Sequence, residues 1–402
     1  MRHDQPLPPP KPREARTALQ RGGLPDSFTK ALYKVSPFRG CTHGCLYCDG
    51  RAEKYYVEGD FDRDILYSSN LISLLQSEVP TAREKGIVSF GSGTTDPYQP
   101  CEAALELTRN AAALVAENPL LSATVLTKST LALRDLDIWK KINQTSGFTL
   151  MTTITTMHRE IAAIFEPGAP PPDERMEMVR LFKEAGCRVL ILAMPLLPGI
   201  SDSDDFLAKL FESARLAGAD AIMPGGLTLR PGRQKELYLN TIAGHYPQLL
   251  NLYEEMYREN RPSGAPLHSF SRELLTRCGR HLDALGVPWL MPHSKWAPMV
   301  SLCDSIHILL SDMVLLYQAH KPGIDIKPLS YSLMNFDEWL STTRTAFRRR
   351  HDLPIGWIDE TFRMLVTTNN LDAIIDNPRL SAFISEIVLN NKHFEYSHLR
   401  LC

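Results

Sequence analysis

From about residue 33 to residue 231, short aliphatic and β-branched runs alternate with longer stretches of helical periodicity. The runs predict strands over 33–38, 87–91, 123–127, 149–153, 188–193 and 219–224. Between them, apolar positions recur at helical spacing over 65–77, 102–117, 133–142, 174–184 and 204–216. Asp202, Ser203 and Asp204 offer an N-cap to the last of these. Gly186 and Gly218 stand just past their helices, where a left-handed residue closes the final turn. Such strand–helix alternation predicts a parallel sheet. So many units in so short a stretch favour an α/β fold built as a partial (β/α)6 TIM-like barrel. Functional residues then belong on the loops that follow the strands.

Past residue 232 only the helical period remains, over 233–246, 247–258, 272–285, 306–319, 335–349, 359–367 and 379–389. Three regions are expected: an extended tail over 1–25, rich in proline, a barrel over 26–232, and a mostly helical C-terminal region over 233–402. Composition agrees with a folded chain, at 44% hydrophobic and 22% charged residues. The formal charge is 44 − 46 = −2, which excludes a strongly basic protein and gives no support to a nucleic-acid partner. Arg344, Arg348, Arg349 and Arg350 form one local basic run, read as a solvated helix end. The N-terminus shows no signal-peptide core, and no apolar run reaches the ~20 residues of a membrane span. The expectation is a cytoplasmic protein without membrane contact.

The eight cysteines change the picture, because three of them fall together as Cys41, Cys45 and Cys48 in the spacing C-x3-C-x2-C. The segment follows a predicted strand and is rich in turn residues. In a large chain such a cluster reads as metal or redox chemistry, not a disulfide framework. Three thiolates on one loop suit a [4Fe–4S] cluster with one iron left free of protein ligands. The alternative is a zinc site completed by His43. No P-loop, HExxH or GxSxG motif competes.

C-x3-C-x2-C with Tyr47 immediately before the last cysteine resembles the radical S-adenosylmethionine (SAM) superfamily. The lead-in Ser36-Pro37-Phe38-Arg39-Gly40-Cys41 is similar to the spore-photoproduct-lyase-like branch. So are Thr94-Thr95-Asp96-Pro97-Tyr98-Gln99-Pro100, Leu126-Thr127-Lys128-Ser129, Thr153-Ile154-Thr155 and Phe165-Glu166-Pro167-Gly168-Ala169-Pro170. The resemblance spans about residues 33–231 and implies a full or partial (β/α) barrel. It implies that Cys41, Cys45 and Cys48 hold a [4Fe–4S] cluster whose open iron binds SAM. One electron from the cluster then cleaves SAM, and the 5′-deoxyadenosyl radical takes hydrogen from a substrate. A flavodoxin- or ferredoxin-type donor would supply the electron.

The residue roles implied are these. Tyr47 lies against the adenine, Lys128 pairs with the SAM carboxylate, and Thr95 and Thr153 or Thr155 contact the methionine part. Ser92 lies in the turn that replaces the usual glycine-rich amino-group motif. Tyr98 and Cys101 are candidate catalytic residues. Asp96 is read as a cap of the 102–117 helix or a group that orients substrate, Glu166 with Arg175 as a structural pair, and Met194 and Met223 as core. Arg230 is a candidate for the adenosine site. One departure matters: where the lyase carries a cysteine hydrogen donor, this chain has Gly93. That weakens photoproduct repair as the reaction and leaves three alternatives: another radical transformation, nucleic-acid lesion repair, or a non-catalytic zinc or iron–sulfur redox sensor.

Overall fold

The computed structural model describes residues 7–55, 59–91, 93–320, 324–396 and 400–401. The proline-rich N-terminal segment is paired. Strand β1 (Lys11–Arg13) and β2 (Gln20–Arg21) precede β3 (Ala31–Val35), β4 (Phe38–Arg39) and β5 (Leu66–Ser68). The barrel strands continue as β6 (Gly86–Phe90), β7 (Leu121–Thr127), β8 (Phe148–Thr153), β9 (Arg188–Leu196) and β10 (Ala221–Gly226). The main sheet has the order β10-β9-β8-β7-β6-β3-β2. Neighbours from β3 to β10 are parallel, and β2 caps the β3 edge antiparallel. Sequential parallel strands with β10 and β2 at opposite ends make an open sheet, consistent with the partial barrel. A small sheet, β1-β5-β4, stands beside it.

The connecting helices are α1 (Leu71–Glu78), α2 (Glu102–Leu105), α3 (Leu107–Val115), α4 (Leu136–Thr145), α5 (Arg159–Phe165), α6 (Pro172–Glu184) and α7 (Asp204–Leu216). Three expectations are corrected here. The helix read over 65–77 begins as β5, because Leu66 and Tyr67 pair with β1 and β4. The helix read over 102–117 is broken in two at Glu106, which takes the left-handed conformation at φ 48°. Its neighbour Glu102, fully buried, accepts hydrogen bonds from the Thr108 and Arg109 amides, so a side chain caps the second helix across the break. Nor do the hydroxyl and carboxylates at 202–204 cap α7; Asp202 instead accepts from the Gly199 amide at 2.7 Å. Gly186 and Gly218 do sit at φ 78° and 84°.

The period of two along each strand separates two cores. Val88, Phe90, Ala123, Val125, Phe148, Leu150, Val189 and Ile191 pack beneath the connecting helices. Ile87, Leu126, Met151, Leu190 and Leu192 point to the opposite, concave face. That face is filled by the C-terminal region, which runs as α8 (Arg233–His245), α9 (Leu250–Met256), α10 (His268–Leu285), α11 (His293–Trp296), α12 (Leu302–His320), α13 (Lys327–Arg349), α14 (Trp357–Thr367), α15 (Asp372–Ile375) and α16 (Pro378–Asn390). Trp296, Met299, Cys303 and Ile306 join the concave cluster. Ser122 of β7 donates to the Met299 carbonyl at 2.7 Å.

Buried charges lock this region in place. Lys30 pairs with Asp312 at 2.9 Å, and Asp312 also accepts from the Tyr396 hydroxyl. Arg344 is buried between Glu84 and Asp304, which corrects its reading as part of a solvated helix end. Arg350, in the same run, does fold onto exposed Asp352. No described helix is long and apolar enough to cross a membrane.

Candidate functional site

At the carboxyl ends of the strands lies a cavity of about 330 Å³. Cys41, Cys45 and Cys48 all line it, on the loop that follows β4. That loop is held almost atom by atom. The Cys41 amide donates to the Phe61 carbonyl, and the Leu46 amide to that of Phe165. Arg51 donates to the Gly44 and Cys45 carbonyls while pairing with Asp62 at 2.8 Å. Gln99 accepts from the Thr42 amide, and its own amide donates to the Gly40 carbonyl. Gly44 turns the loop at φ 64°.

The three thiols are free of disulfides, and the His43 and Gly50 backbone amides face the sulfurs of Cys41 and Cys48. Burial pushes the Cys41 thiol well up and that of Cys45 to about 12. Thiolates at this place therefore require a bound cation to hold them.

His43 does not complete a zinc site. Its Nδ1 donates to the Gly168 carbonyl at 2.8 Å, and its Nε2 lies 3.2 Å from Asp96 Oδ2. Nδ1 is thus engaged within the protein, and Nε2 is buried against a carboxylate with no hydrogen bond of good geometry. Among the described residues no group of three His, Cys, Asp or Glu side chains is gathered closely enough for a single ion. A cubane asks for something else, one thiolate at each of three separate corners. Three free thiols around one cavity therefore fit a [4Fe–4S] cluster and do not fit tetrahedral zinc.

The other walls come from the ends of successive strands. Gly93, Thr94, Thr95 and Asp96 follow β6, Leu126, Thr127 and Lys128 end β7, and Thr153 ends β8. Asp96 is the clasp of this edge. It accepts from the Tyr98 amide at 2.8 Å, the Thr127 hydroxyl at 2.7 Å and the Lys128 amide at 2.8 Å. Burial opposes its charge, but His43 and these donors prevail, and its carboxyl lies below the ordinary value. Asp96 therefore joins two strand ends instead of capping a helix. Thr95 also lines the cavity, with its hydroxyl donating to the Gly40 carbonyl at 2.7 Å.

Lys128 carries its ammonium 5.7 Å from the centre of the Tyr47 ring. No described carboxylate forms an ion pair with it. Tyr47 is fixed from behind: its hydroxyl donates to Glu166, and Glu166 in turn is gripped by Arg175. Arg175 also donates to the Thr153 carbonyl at 2.7 Å. Glu166 and Arg175 are a fully buried pair, as the sequence suggested.

Several expected residues stand elsewhere. Tyr98 is buried behind the site, donating to Asp135 at 2.9 Å and accepting from Trp139 at 3.0 Å. Cys101 begins α2 and packs against the helix-side core. Neither lines the cavity, which corrects both as catalytic candidates. Thr155 is also outside the lining; its hydroxyl donates to Glu166 at 3.0 Å. Arg230 does not line it either, and holds Asp49 at 2.9 Å. Ser92 lies outside the described residues.

Other lining residues escaped the sequence. Met194 and Pro195 reach the cavity from the end of β9, and Leu227 and Thr228 from just past the end of β10. Strand alternation could have flagged Met194, since it follows Leu190 and Leu192 on the concave face. Phe28 and Phe61 come from irregular segments and carried no periodic signal.

The chain matches the family model of the radical SAM superfamily over residues 35–211. An uncharacterized protein of Mycobacterium tuberculosis is 31% identical over 233 residues, covering 56% of this chain and 67% of the relative. An uncharacterized protein of Methanocaldococcus jannaschii is 28% identical over 186 residues, covering 46% of this chain and 68% of the relative. Among solved structures, a spore photoproduct lyase complexed with dinucleoside spore photoproduct superposes with a TM-score of 0.51 at 17% identity. That match covers 68% of this chain and 78% of the lyase, and shows a shared fold. With the three free thiols on one loop and the sequential parallel strands, these likenesses establish that the chain belongs to the radical SAM superfamily.

Proposed function

We propose that this protein is a radical SAM enzyme that removes hydrogen from an organic substrate held above the Cys41, Cys45 and Cys48 loop. The observation that carries the reading is the set of three free thiols around one cavity, with the nearby histidine held between the Gly168 carbonyl and Asp96. When bound, a [4Fe–4S] cluster and SAM supply one-electron cleavage of the sulfonium to a 5′-deoxyadenosyl radical.

The chain's own residues do the rest. Cys41, Cys45 and Cys48 would ligate three irons. Tyr47, locked by Glu166, offers a fixed aromatic face for adenine. Lys128 has a free ammonium to receive a carboxylate. Thr95 and Thr153 bring hydroxyls to the same cavity. Thr155 supports Tyr47 through Glu166 instead of touching the cofactor. Leu126, Leu192 and Met194 give the cavity an apolar wall that excludes water from a reactive carbon centre. A flavodoxin- or ferredoxin-type protein would deliver the electron.

The only thiols lining the cavity among the described residues are the three assigned to the cluster. Gly93 occupies the lining where a thiol donor would be sought, which favours a reaction that does not depend on one. Anaerobic reconstitution should give about four irons per chain and dithionite-dependent release of 5′-deoxyadenosine. Bound zinc, or iron without any SAM cleavage, would overturn the reading.

A further inference from the structure

A second cavity, of about 480 Å³, adjoins the first. Phe61 and Thr95 line both. One of its walls is made by the N-terminal segment, which folds back as β1 and β2. Arg13 of β1, Lys34 of β3, Arg39 of β4 and Lys54 line it, and among the described residues no carboxylate does. This concentration of one sign arises in a chain whose formal charge is −2.

Several solvated surface arginines of this protein fold back onto carboxylates. Arg180, Arg215, Arg258 and Arg350 each pair with a neighbour a few residues away. Arg13, Lys34, Arg39 and Lys54 form no ion pair among the described residues. Arg13 is half-buried, and both burial and the facing Arg39 work against its charge. Like charges gathered in a concave polar site without counter-charges are unfavourable alone and are relieved by a multivalent anion. Guanidinium pairs suit phosphate oxygens in particular. Tyr55, at the edge of the same cavity, adds an exposed aromatic face for a planar ring.

We propose that this cavity anchors a phosphate group of the substrate, so that the part of the molecule beyond the phosphate reaches over Thr95 into the cluster cavity. The substrate class is then a nucleotide, free or within a strand. This rests on reading the first cavity as the reaction site, but the anchoring itself is measurable without turnover.

The test uses the reconstituted full-length protein, prepared anaerobically, and a fluorescein-labelled deoxycytidine 10-mer. Binding is followed by anisotropy, with cytidine 5′-monophosphate and cytidine as competitors. Competition by the monophosphate, at least about tenfold stronger than by the nucleoside, is the expected result. Displacement of the 10-mer by the monophosphate that stays partial, yet exceeds that by the nucleoside, points to a strand; complete displacement points to a free nucleotide. Arg13→Ala and Arg39→Ala should each weaken binding about tenfold. Lys11→Ala, on the same strand but paired with Asp64 outside the cavity, should not. Iron content of each variant reports an intact cluster loop, and Arg→Lys at both positions should restore part of the affinity. Equal competition by nucleoside and nucleotide, or unchanged binding in both alanine variants, would overturn the anchor. Absence of SAM cleavage would overturn the enzymatic reading while leaving the binding result intact.

Discussion

Lys128 is a lysine whose surroundings leave its charge waiting. Its ammonium faces the Tyr47 ring and makes no described ion pair, although it lines a half-enclosed site. Lys128→Met keeps the stem and removes the cation. SAM affinity should fall about tenfold or more, the worth of a charge-assisted hydrogen bond. Titration calorimetry on the reconstituted protein checks this, with iron content unchanged. Arg175 is the opposite case, a cation fully committed. Arg175→Met would strand the buried Glu166 carboxylate and should cost about 3–5 kcal/mol in denaturant unfolding. The cysteines were legible because spacing alone announces them, and Lys128 only through the resemblance of its segment to the lyase-like branch, since a lysine at a strand end is more often a surface residue. Tyr98, Cys101 and Thr155 were not. Their direction depends on how the chain turns after a strand ends, and no period survives that turn. Thr153 and Thr155 differ by only two positions, yet one lines the cavity and the other faces Glu166.

The elements around the cluster loop are braced from outside the loop itself. Gly168, after α5, accepts the His43 ring and donates its amide to the His43 carbonyl at 2.9 Å. A Cβ on Gly168 would stand 2.4 Å from the Thr42 carbonyl oxygen, which is backbone and cannot yield cheaply. Gly168→Ala should therefore displace the loop and lower iron incorporation severalfold while far-ultraviolet circular dichroism is retained.

A second brace ties the C-terminal region to the foot of the barrel. Asp220 accepts from Lys183 of α6, the Val189 amide of β9 and Lys295 of α11. Burial works against its charge, but the two lysines and the amide hold its carboxyl below the ordinary value. The stability it contributes is complete above the unfolded carboxylate pKa and is lost as pH falls through the lower, folded value. Asp220→Asn should cost about 2 kcal/mol at neutral pH and flatten the acid limb of the stability profile, measured by urea midpoints. The strands were read within a few residues because both their faces are apolar. The β5 segment was read as helix because its three residues are too few to show alternation, and their pairing with β1 lies more than fifty positions away.

For the whole molecule, the net charge of −2 conceals a segregation. Acidic residues neutralise many arginines in pairs, while four cations without a described ion pair share one cavity beside the reaction site. Composition cannot reveal this, because it takes the fold-back of the N-terminal segment to bring Arg13 against Arg39. The segregation sets a measurable limit. Binding carried by four cations releases few counterions, so log K against log salt for a single strand should have a slope near −3, about −0.7 for each of the four contacts. A protein that wraps a duplex through ~6–10 phosphate contacts would be much steeper. The slope should fall by ~0.7 in Arg13→Ala, and by the same again when Arg39→Ala is added. A steep slope that neither substitution changes would mean that the phosphates are held elsewhere on the molecule. A shallow slope that steps down with each cation removed ties the strand to the cavity that shares Phe61 and Thr95 with the three cluster thiols.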